Sequence, residues 1–255
     1  MDYRKLMSGV VAQSEQLPVC EHCGELRMEV TVEGVTITPR VMCPHQQAAV
    51  DAEQVRESRF ADQHSFRVRF GGIGEIGPSR RVSFADLDRS EAELVEMAEA
   101  YAQRWRTVGR DGMGLVMVGG VGAGKTTLAL AIGTALVDDG WRVVMLSQPQ
   151  LVAMLGDKEQ MHSARNAAVY ADMLILDDWG MGTIPAWIAS QIDGVIHDRH
   201  ALGRPIITTS NYDREAMTAR AKGDGIETQR MVSRLYDVQR NRMMRFTSGD
   251  RRATR

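Results

Sequence analysis

The sequence lacks any apolar run that approaches the roughly 18–20 residues required by a membrane-spanning helix. The first residues, Met1–Lys5, lead into no apolar core with a small-residue cleavage site, so no secretory signal is predicted. Cysteine is also scarce, with three among 255 residues. We therefore expect a cytoplasmic protein with no membrane partner, whose cysteines are thiols or metal ligands rather than disulfides.

The chain also lacks a strong net charge, because 31 basic side chains face 33 acidic ones and the formal charge is −2. Binding of a polyanion through bulk charge is therefore excluded. The charge is nevertheless uneven, since residues 220–255 contain ten basic and four acidic side chains. This segment is either a solvated basic tail or a source of arginines that meet phosphate, of a nucleotide or of a nucleic acid.

A glycine-rich loop follows the apolar segment Leu115–Val118 and precedes a predicted helix. The loop fits the pattern G-x-x-x-x-G-K-[ST], in which backbone N–H groups and a helix N-terminus hold phosphate. We expect Lys125 to contact the β- and γ-phosphates of ATP and the Thr126 hydroxyl to bind Mg²⁺. The predicted nucleotide-binding residues are Gly119, Gly120, Val121, Gly122, Ala123, Gly124, Lys125, Thr126 and Thr127.

Two acids follow the continuous apolar run Met173–Leu176, which is typical of a strand buried on both faces of a parallel sheet. Acids at the carboxyl end of such a strand lie where α/β sheets bind ligands. This is the Walker B pattern. We expect Asp177 to hold Mg²⁺ and Asp178 to act as the general base on the attacking water.

A further apolar strand, 205–210, ends at Asn211. A polar group beside the Walker B strand can contact the γ-phosphate or the attacking water, and Asn211 is the candidate, with Ser210 or Thr209 behind it. Strands that alternate with helical segments predict an α/β fold with a parallel sheet between helices.

An acidic helix is predicted upstream of the glycine-rich loop, over Ser90–Arg106. Ser90 is its expected N-cap, and Glu93 would complete a capping box. Asp111 and Gly112 then turn the chain into the loop strand.

The N-terminal region contains the spacing of a zinc site. A C-x-x-C-G turn precedes a predicted β-hairpin between residues 28 and 38, and a Cys-Pro-His triplet follows it. A two-stranded hairpin is not stable alone in water, so a closed Cys₃His zinc site would supply the missing core. His22 is an alternative fourth ligand, and three unrelated thiols are the simpler interpretation. The expected ligands of Zn²⁺ are Cys20, Cys23, Cys43 and His45.

The domain boundary is predicted near residue 75. A polar helix is expected over Gln46–Arg59, followed by a linker over 60–80 that is broken by glycines. Residues 1–75 would then form a zinc-binding, partner-contact module with its linker, and residues 76–255 an ATPase domain.

Several motifs in a fixed order give the chain a specific resemblance. From about Val82 to Arg252 it resembles the AAA+ ATPases of the DnaC/DnaI helicase loaders and their relative IstB, the transposition ATPase. The motifs are Gly119–Thr126, Leu174–Gly180, Ile196–Arg199, Arg204–Asn211 and Met231–Leu235.

The resemblance implies an AAA+ P-loop fold and roles for individual residues. Asn211 resembles sensor 1, and Arg234 matches the arginine finger that reaches the γ-phosphate of a neighbouring subunit, with Arg230 as the alternative. A finger in trans implies a homo-oligomer in the ATP state. Sensor 2 would be Arg251 or Arg252.

The implied function is an ATP-dependent loader that deposits a DnaB-type replicative helicase on single-stranded DNA. Family nucleic-acid contacts correspond to residues 148–171, with Lys158, His162 and Arg165 as basic candidates. His45 replaces the usual fourth cysteine, and Asp178 stands where glutamate is commoner, which predicts slow hydrolysis. The alternatives are an IstB-like ATPase that regulates a transposase on duplex DNA and a P-loop kinase that needs no arginine in trans.

Overall fold

The computed structural model describes residues 30–32, 35–37, 44–105, 112–222 and 225–250. The chain divides into two compact units, Met1–Ser58 and Arg59–Arg255. In the first unit, β1 (Val30–Val32) pairs antiparallel with β2 (Val35–Ile37), which confirms the predicted hairpin.

Helix α1 (Pro44–Arg69) begins in the first unit and ends in the second. The prediction that this helix stops at residue 59 is wrong, because no glycine or proline interrupts the chain until Gly71 and Gly72, whose φ angles are 61° and 69°. Its second half is also held by distant contacts, since the Gln63 side chain donates to the Trp141 carbonyl at 2.7 Å. The functional division near residue 75 stays a prediction.

The second unit alternates helices with strands. Short 3₁₀ turns at Pro78–Arg80, Phe84–Asp86 and Arg89–Glu91 precede its first complete helix. The elements that follow are α2 (Ala92–Gln103), β3 (Gly114–Val118), α3 (Lys125–Asp138), β4 (Val143–Ser147), α4 (Gln148–Gly156), α5 (Met161–Tyr170), β5 (Met173–Trp179), α6 (Ala186–Ala201), β6 (Ile206–Ser210), α7 (Arg214–Ala221), α8 (Ile226–Leu235) and β7 (Asn241–Arg245).

These five strands form one sheet in the order β4-β5-β6-β3-β7, and every neighbouring pair is parallel. Along β5, Leu174 and Leu176 face one core, whereas Met173 and Ile175 face the other. The first core includes residues of α4 to α8, and the second includes residues of α2 and α3. The predicted parallel sheet between helices is therefore confirmed.

The start of α2 differs from the prediction. Ser90 lies in the 3₁₀ turn, where its backbone N–H donates to the Asp88 carboxylate at 2.8 Å. The helix begins at Ala92, and its N-cap Glu91 makes no side-chain capping hydrogen bond. The predicted capping box of Ser90 and Glu93 is therefore wrong, because Asp88 stabilises a tighter turn first. As a result, the Glu91 carboxylate is available for a distant contact.

Within the described ranges, none of the helices combines the length and apolar character needed to cross a membrane.

Candidate functional site

Three adjacent strands end at one edge of the sheet with glycine-rich or polar segments. β3 leads into the loop Gly119–Gly124, β5 carries Asp177 and Asp178 near its end, and Asn211 follows β6. Parallel α/β sheets bind ligands beyond the carboxyl ends of their strands. The structure thus brings together the glycine-rich loop, the two acids and Asn211.

The loop has the backbone geometry of a phosphate cradle. Gly124 is the N-cap of α3 and has a φ of 98°, which side chains rarely tolerate. Gly122 has a φ of 73°, and a Cβ there would come within 1.8 Å of an Asp250 carboxylate oxygen. Because α3 starts directly after Gly124, its unpaired N–H groups and partial positive charge face the loop.

Lys125 lies at the centre of the site and is 5% exposed. Its ammonium donates to the carbonyls of Gly119 and Gly120 at 2.9 and 2.6 Å, and to Asn211 Oδ1 at 2.8 Å. Burial lowers the pKa of Lys125 from its ordinary value, and the carboxylates of Asp178 and Asp177 oppose that shift. The hydrogen bond to Asn211 brings Lys125 into direct contact with the residue predicted to be sensor 1.

Asp177 and Thr126 form a donor set that suits Mg²⁺. The Thr126 hydroxyl donates to Asp177 Oδ1 at 2.8 Å, and Asp177 is 8% exposed. One hydroxyl and one carboxylate beside a phosphate cradle are the protein ligands typical of Mg²⁺ in nucleotide sites. These two side chains would hold the ion.

Asp178 has an unusual backbone. Its φ is 53°, the one positive value among the described non-glycine residues. The pairing of β5 with β6 shifts at this point, because Leu176 faces Thr208 but Trp179 faces Ser210. Such a bulge redirects side chains next to active sites. Asp178 is exposed and lines the cavity beside the glycine-rich loop.

A cavity of about 900 Å³ lies over the loop. One wall comes from the segment before α2, including Leu87 and Glu91, and the other from residues Phe246–Asp250, here called the C-terminal strap. The strap is fixed to the sheet, because the Phe246 N–H donates to the Val118 carbonyl at 2.8 Å.

Glu91 joins the two walls. Its Oε1 accepts from the backbone N–H groups of Thr247 and Ser248 at 2.7 and 2.6 Å. The hydrogen bond from the Ser248 N–H lowers the pKa of Glu91, partial burial opposes this, and the Thr247 N–H adds to the lowering. This contact could not be predicted from the sequence, since no local pattern links residues 156 positions apart.

The candidate arginine fingers differ in their surroundings. On α8, Arg234 forms a short ion pair with Asp193 of α6, so its guanidinium is held within its own chain. Arg230, one turn earlier, is exposed and has no ion pair to any described residue. Their roles stay predictions. Arg251 and Arg252 lie outside the described residues.

The predicted zinc site falls mostly outside the described residues, which include neither His22 nor the three cysteines. His45 is exposed at the start of α1. In the parts of the chain that the structure describes, no cluster of three or more Cys, His, Asp or Glu side chains could hold a metal. Zinc binding stays a prediction.

The predicted nucleic-acid residues lie on or near α5. Lys158 and His162 are exposed, and His162 contacts Asn166 at 2.9 Å. Arg165 forms an ion pair with Asp198 at 2.6 Å. Tyr170 is 46% exposed and is the one large aromatic side chain on this helix. Contact with single-stranded DNA stays a prediction.

Residues 96–241, more than half of the chain, match the family of the IstB-like ATP binding protein. Over 118 residues the chain is 35% identical to an insertion sequence ATP-binding protein of Sinorhizobium fredii. This match covers 45% of this chain and 38% of that protein. Over 158 residues it is 22% identical to the replicative helicase loader DnaI of Bacillus subtilis, which covers 58% of this chain and 50% of that protein. The matches thus span half or less of these relatives' own lengths.

The fold is similar to the crystal structure of DnaI, with a TM-score of 0.56 and 20% identity. The superposition covers 67% of this chain and 90% of the DnaI chain. At this identity the likeness shows the fold alone. It confirms the predicted AAA+ P-loop architecture.

Proposed function

We propose that this chain, which belongs to the IstB-like ATP-binding protein family, hydrolyses ATP as a switch and helps to deposit a ring helicase on single-stranded DNA. One observation carries the ATPase part of this proposal. Beside the glycine-rich loop, Lys125 donates to Asn211 and the Thr126 hydroxyl donates to Asp177, each at 2.8 Å. That combination suits the triphosphate of a nucleotide better than any other ligand class.

Each residue then has a defined task. The loop N–H groups and Lys125 bind the phosphates, and Asn211 orients the γ-phosphate or the attacking water. Thr126 and Asp177 would hold Mg²⁺, which neutralises phosphate charge when bound. Asp178 accepts a proton from the attacking water. Its side chain is one methylene shorter than glutamate, so it holds the water less well and basal turnover is slow, below about 1 s⁻¹ on the usual enzyme scale.

Hydrolysis would be completed by a second copy of the chain. Arg234, or Arg230 as the alternative, would reach the γ-phosphate of the neighbouring subunit. Arg234 would then have to exchange Asp193 for phosphate, whereas the exposed Arg230 breaks no ion pair within the described residues. ATP binding would thereby promote self-association, and hydrolysis would release the partner.

The helicase is the proposed partner for two reasons. The helicase loader DnaI is among the relatives, and the cysteine spacing at Cys20 and Cys23 resembles the zinc-binding module of DnaI-type loaders. A second candidate, an ATPase that regulates a transposase on duplex DNA, has support from the 35% identity to an insertion sequence ATP-binding protein. The two functions predict different partners and different DNA.

Light scattering with the replicative helicase of the same organism tests the proposal. We expect a stoichiometric complex with a non-hydrolysable ATP analogue that changes when single-stranded DNA is added. Lys125→Ala should lose nucleotide binding and the nucleotide response, because the phosphates lose their central cation. Lys222→Ala, which removes an exposed lysine outside the site, is the matched control.

Two results would contradict the proposal. Failure to bind the helicase in any nucleotide state, together with ATP-dependent assembly on long duplex DNA, would favour the transposition function. Wild-type loading by Lys125→Ala would show that ATP is not the switch.

A further inference from the structure

The hydroxyl of Thr209 lies between the two acids of the site. Thr209 is on β6 and is 0% exposed. Its Oγ1 donates to Asp177 Oδ1 at 2.6 Å and accepts from the backbone N–H of Asp178 at 3.0 Å. A threonine hydroxyl has one proton to donate, and here that proton goes to the acid expected to hold Mg²⁺.

The bulge in β5 explains why this hydroxyl is needed. Between the pairs Leu176–Thr208 and Trp179–Ser210, β5 contains two residues and β6 contains only Thr209. A bulge leaves one backbone group outside the regular ladder. The Asp178 N–H is that group, and the Thr209 side chain replaces the missing carbonyl acceptor. The same hydroxyl therefore fixes a carboxylate and the backbone of the next residue.

The backbone of Asp178 requires such support. Its φ of 53° lies in the left-handed region, which L-residues adopt at a cost and keep only when their surroundings hold them. If the Asp178 N–H lost its acceptor, the residue could relax toward ordinary strand geometry. The carboxylate would then point to a different part of the cavity.

We propose that Thr209 is a positioning residue, which holds Asp177 against Thr126 and Asp178 in its bulged conformation through one shared hydroxyl. This inference rests on the proposed ATPase function for the roles of the two acids. Thr209 is fully buried and does not line the cavity, and its hydroxyl donates its one proton to Asp177 and accepts from the Asp178 N–H, so it acts through these two residues. The consequence for Mg²⁺ and for the attacking water is separate from the binding of phosphate by the glycine-rich loop.

The test compares Thr209→Val with Thr209→Ser in the full chain. Valine keeps the shape and removes the hydroxyl, whereas serine keeps the hydroxyl. Thr134→Val is the control, because Thr134 is also buried on the second unit and accepts a backbone N–H, from Val82 at 3.3 Å, away from the acids. All variants are first compared by far-UV circular dichroism and thermal unfolding.

Two readouts separate positioning from folding. The first is the gain in ADP affinity on adding Mg²⁺, measured with a fluorescent ADP, and the second is kcat for ATP hydrolysis. Outer partners of metal ligands typically contribute 10- to 100-fold, so we expect Thr209→Val to lose about that factor in Mg²⁺ affinity and in kcat. ADP affinity without Mg²⁺ should be unchanged, and Thr209→Ser and Thr134→Val should behave like the wild type.

Wild-type Mg²⁺ dependence and kcat in a folded Thr209→Val variant would overturn the inference, as would a wild-type protein whose ADP affinity ignores Mg²⁺. If Thr209→Val does not fold, Thr209→Ser decides: a folded serine variant that loses the Mg²⁺ response refutes the role of the hydroxyl, and one that retains it supports the role. A wild-type protein that shows the Mg²⁺ response but no hydrolysis would contradict the proposed ATPase and leave the positioning of Asp177 supported by the affinity data.

Discussion

The Arg199→Met variant should destabilise the second unit by about 3–5 kcal/mol, because it removes the donor of several buried backbone carbonyls at a cost of about 1–3 kcal/mol each. Arg199 is fully buried, and its guanidinium donates to five backbone carbonyls. Burial lowers its pKa to about 9, so the side chain is still charged at neutral pH. The acceptors are the carbonyls of Ala168, Val169, Ala171, Asp172 and Pro205.

The magnitude follows from these contacts. Three of them are 2.9 Å or shorter, to the carbonyls of Ala168, Ala171 and Pro205. The Ala171 carbonyl also accepts from Arg204, so of these three it keeps a donor in the variant. A buried carbonyl without a donor costs about 1–3 kcal/mol, which sets an upper range of about 6 kcal/mol for the carbonyls of Ala168 and Pro205. Methionine recovers part of this, because it packs without the desolvation of a charge. The Ala168 and Val169 carbonyls belong to the last turn of α5, so that turn should loosen first.

Urea unfolding followed by circular dichroism measures the effect, and thermal unfolding should show a Tm lower by roughly 6–20 °C for a unit of this size. Arg204→Met is the matched control. Arg204 also donates to the Ala171 carbonyl and pairs with Asp172 at 3.6 Å, but it is partly exposed, so its loss should cost less than about 1 kcal/mol. An Arg199→Met variant within about 1 kcal/mol of the wild type would refute the argument that the carbonyls depend on this donor.

Three further predictions concern Glu91, the candidate arginine fingers and the zinc site. Glu91→Gln should weaken ATP binding roughly fivefold, about one hydrogen bond's worth, because the amide pairs less well with two N–H donors. Since the pKa of Glu91 is lowered from 4.5, its stabilising contribution should be present above that pH and be lost as the pH falls through the lower folded-state pKa, a loss absent from Glu91→Gln. Arg234→Ala should keep nucleotide affinity and lose about 10³-fold or more in turnover, with Arg230→Ala as the comparison. Metal analysis should find about one zinc ion per chain, and Cys20→Ser should remove it.

Each of these has a result that would contradict it. If Glu91→Gln and the wild type have the same ATP affinity and unfold at the same acid pH, the Glu91 carboxylate does not contribute to nucleotide binding or stability by holding the two cavity walls together. If Arg230→Ala loses turnover and Arg234→Ala does not, the arginine finger is Arg230 and not Arg234. Metal-free protein that is folded in the N-terminal unit would exclude a structural zinc ion.

The site motifs could be predicted because each is a local pattern with its own chemistry. Gly122, Gly124 and Lys125 lie within four positions of one another. The continuous apolar run before Asp177 predicts a strand that is buried on both faces. Parallel strands place their carboxyl ends at one edge, so the spacing of these motifs along the chain was enough to bring them together. The position of Asn211 in the site follows from the same rule, because Asn211 comes directly after the carboxyl end of β6.

Other features depend on partners that are far away in the chain. Gln63 extends α1 by bonding to the Trp141 carbonyl, and Glu91 meets Thr247 across 156 positions. Local propensity predicted a linker at the first position and a capping box at the second. The role of Thr209 could not be predicted for another reason. It depends on the bulge in β5, which is a shift in the pairing of β5 with β6 and has no local sequence pattern in either strand.

The polar groups of the site satisfy one another, and this limits how nucleotide can bind. Lys125 is bonded to Asn211 and to two loop carbonyls, and Asp177 accepts from Thr126 and Thr209. A phosphate that takes the lysine must replace those bonds, so only the difference between the two sets contributes to affinity. Thr209 is fully buried and does not line the cavity, so a ligand in the cavity does not compete for its hydrogen bonds. Nucleotide binding should therefore rearrange the Lys125 and Asn211 side chains while Asp177 and Asp178 keep their positions. Acids that stay in place can then act on Mg²⁺ and on the attacking water beside the phosphate that Lys125 binds.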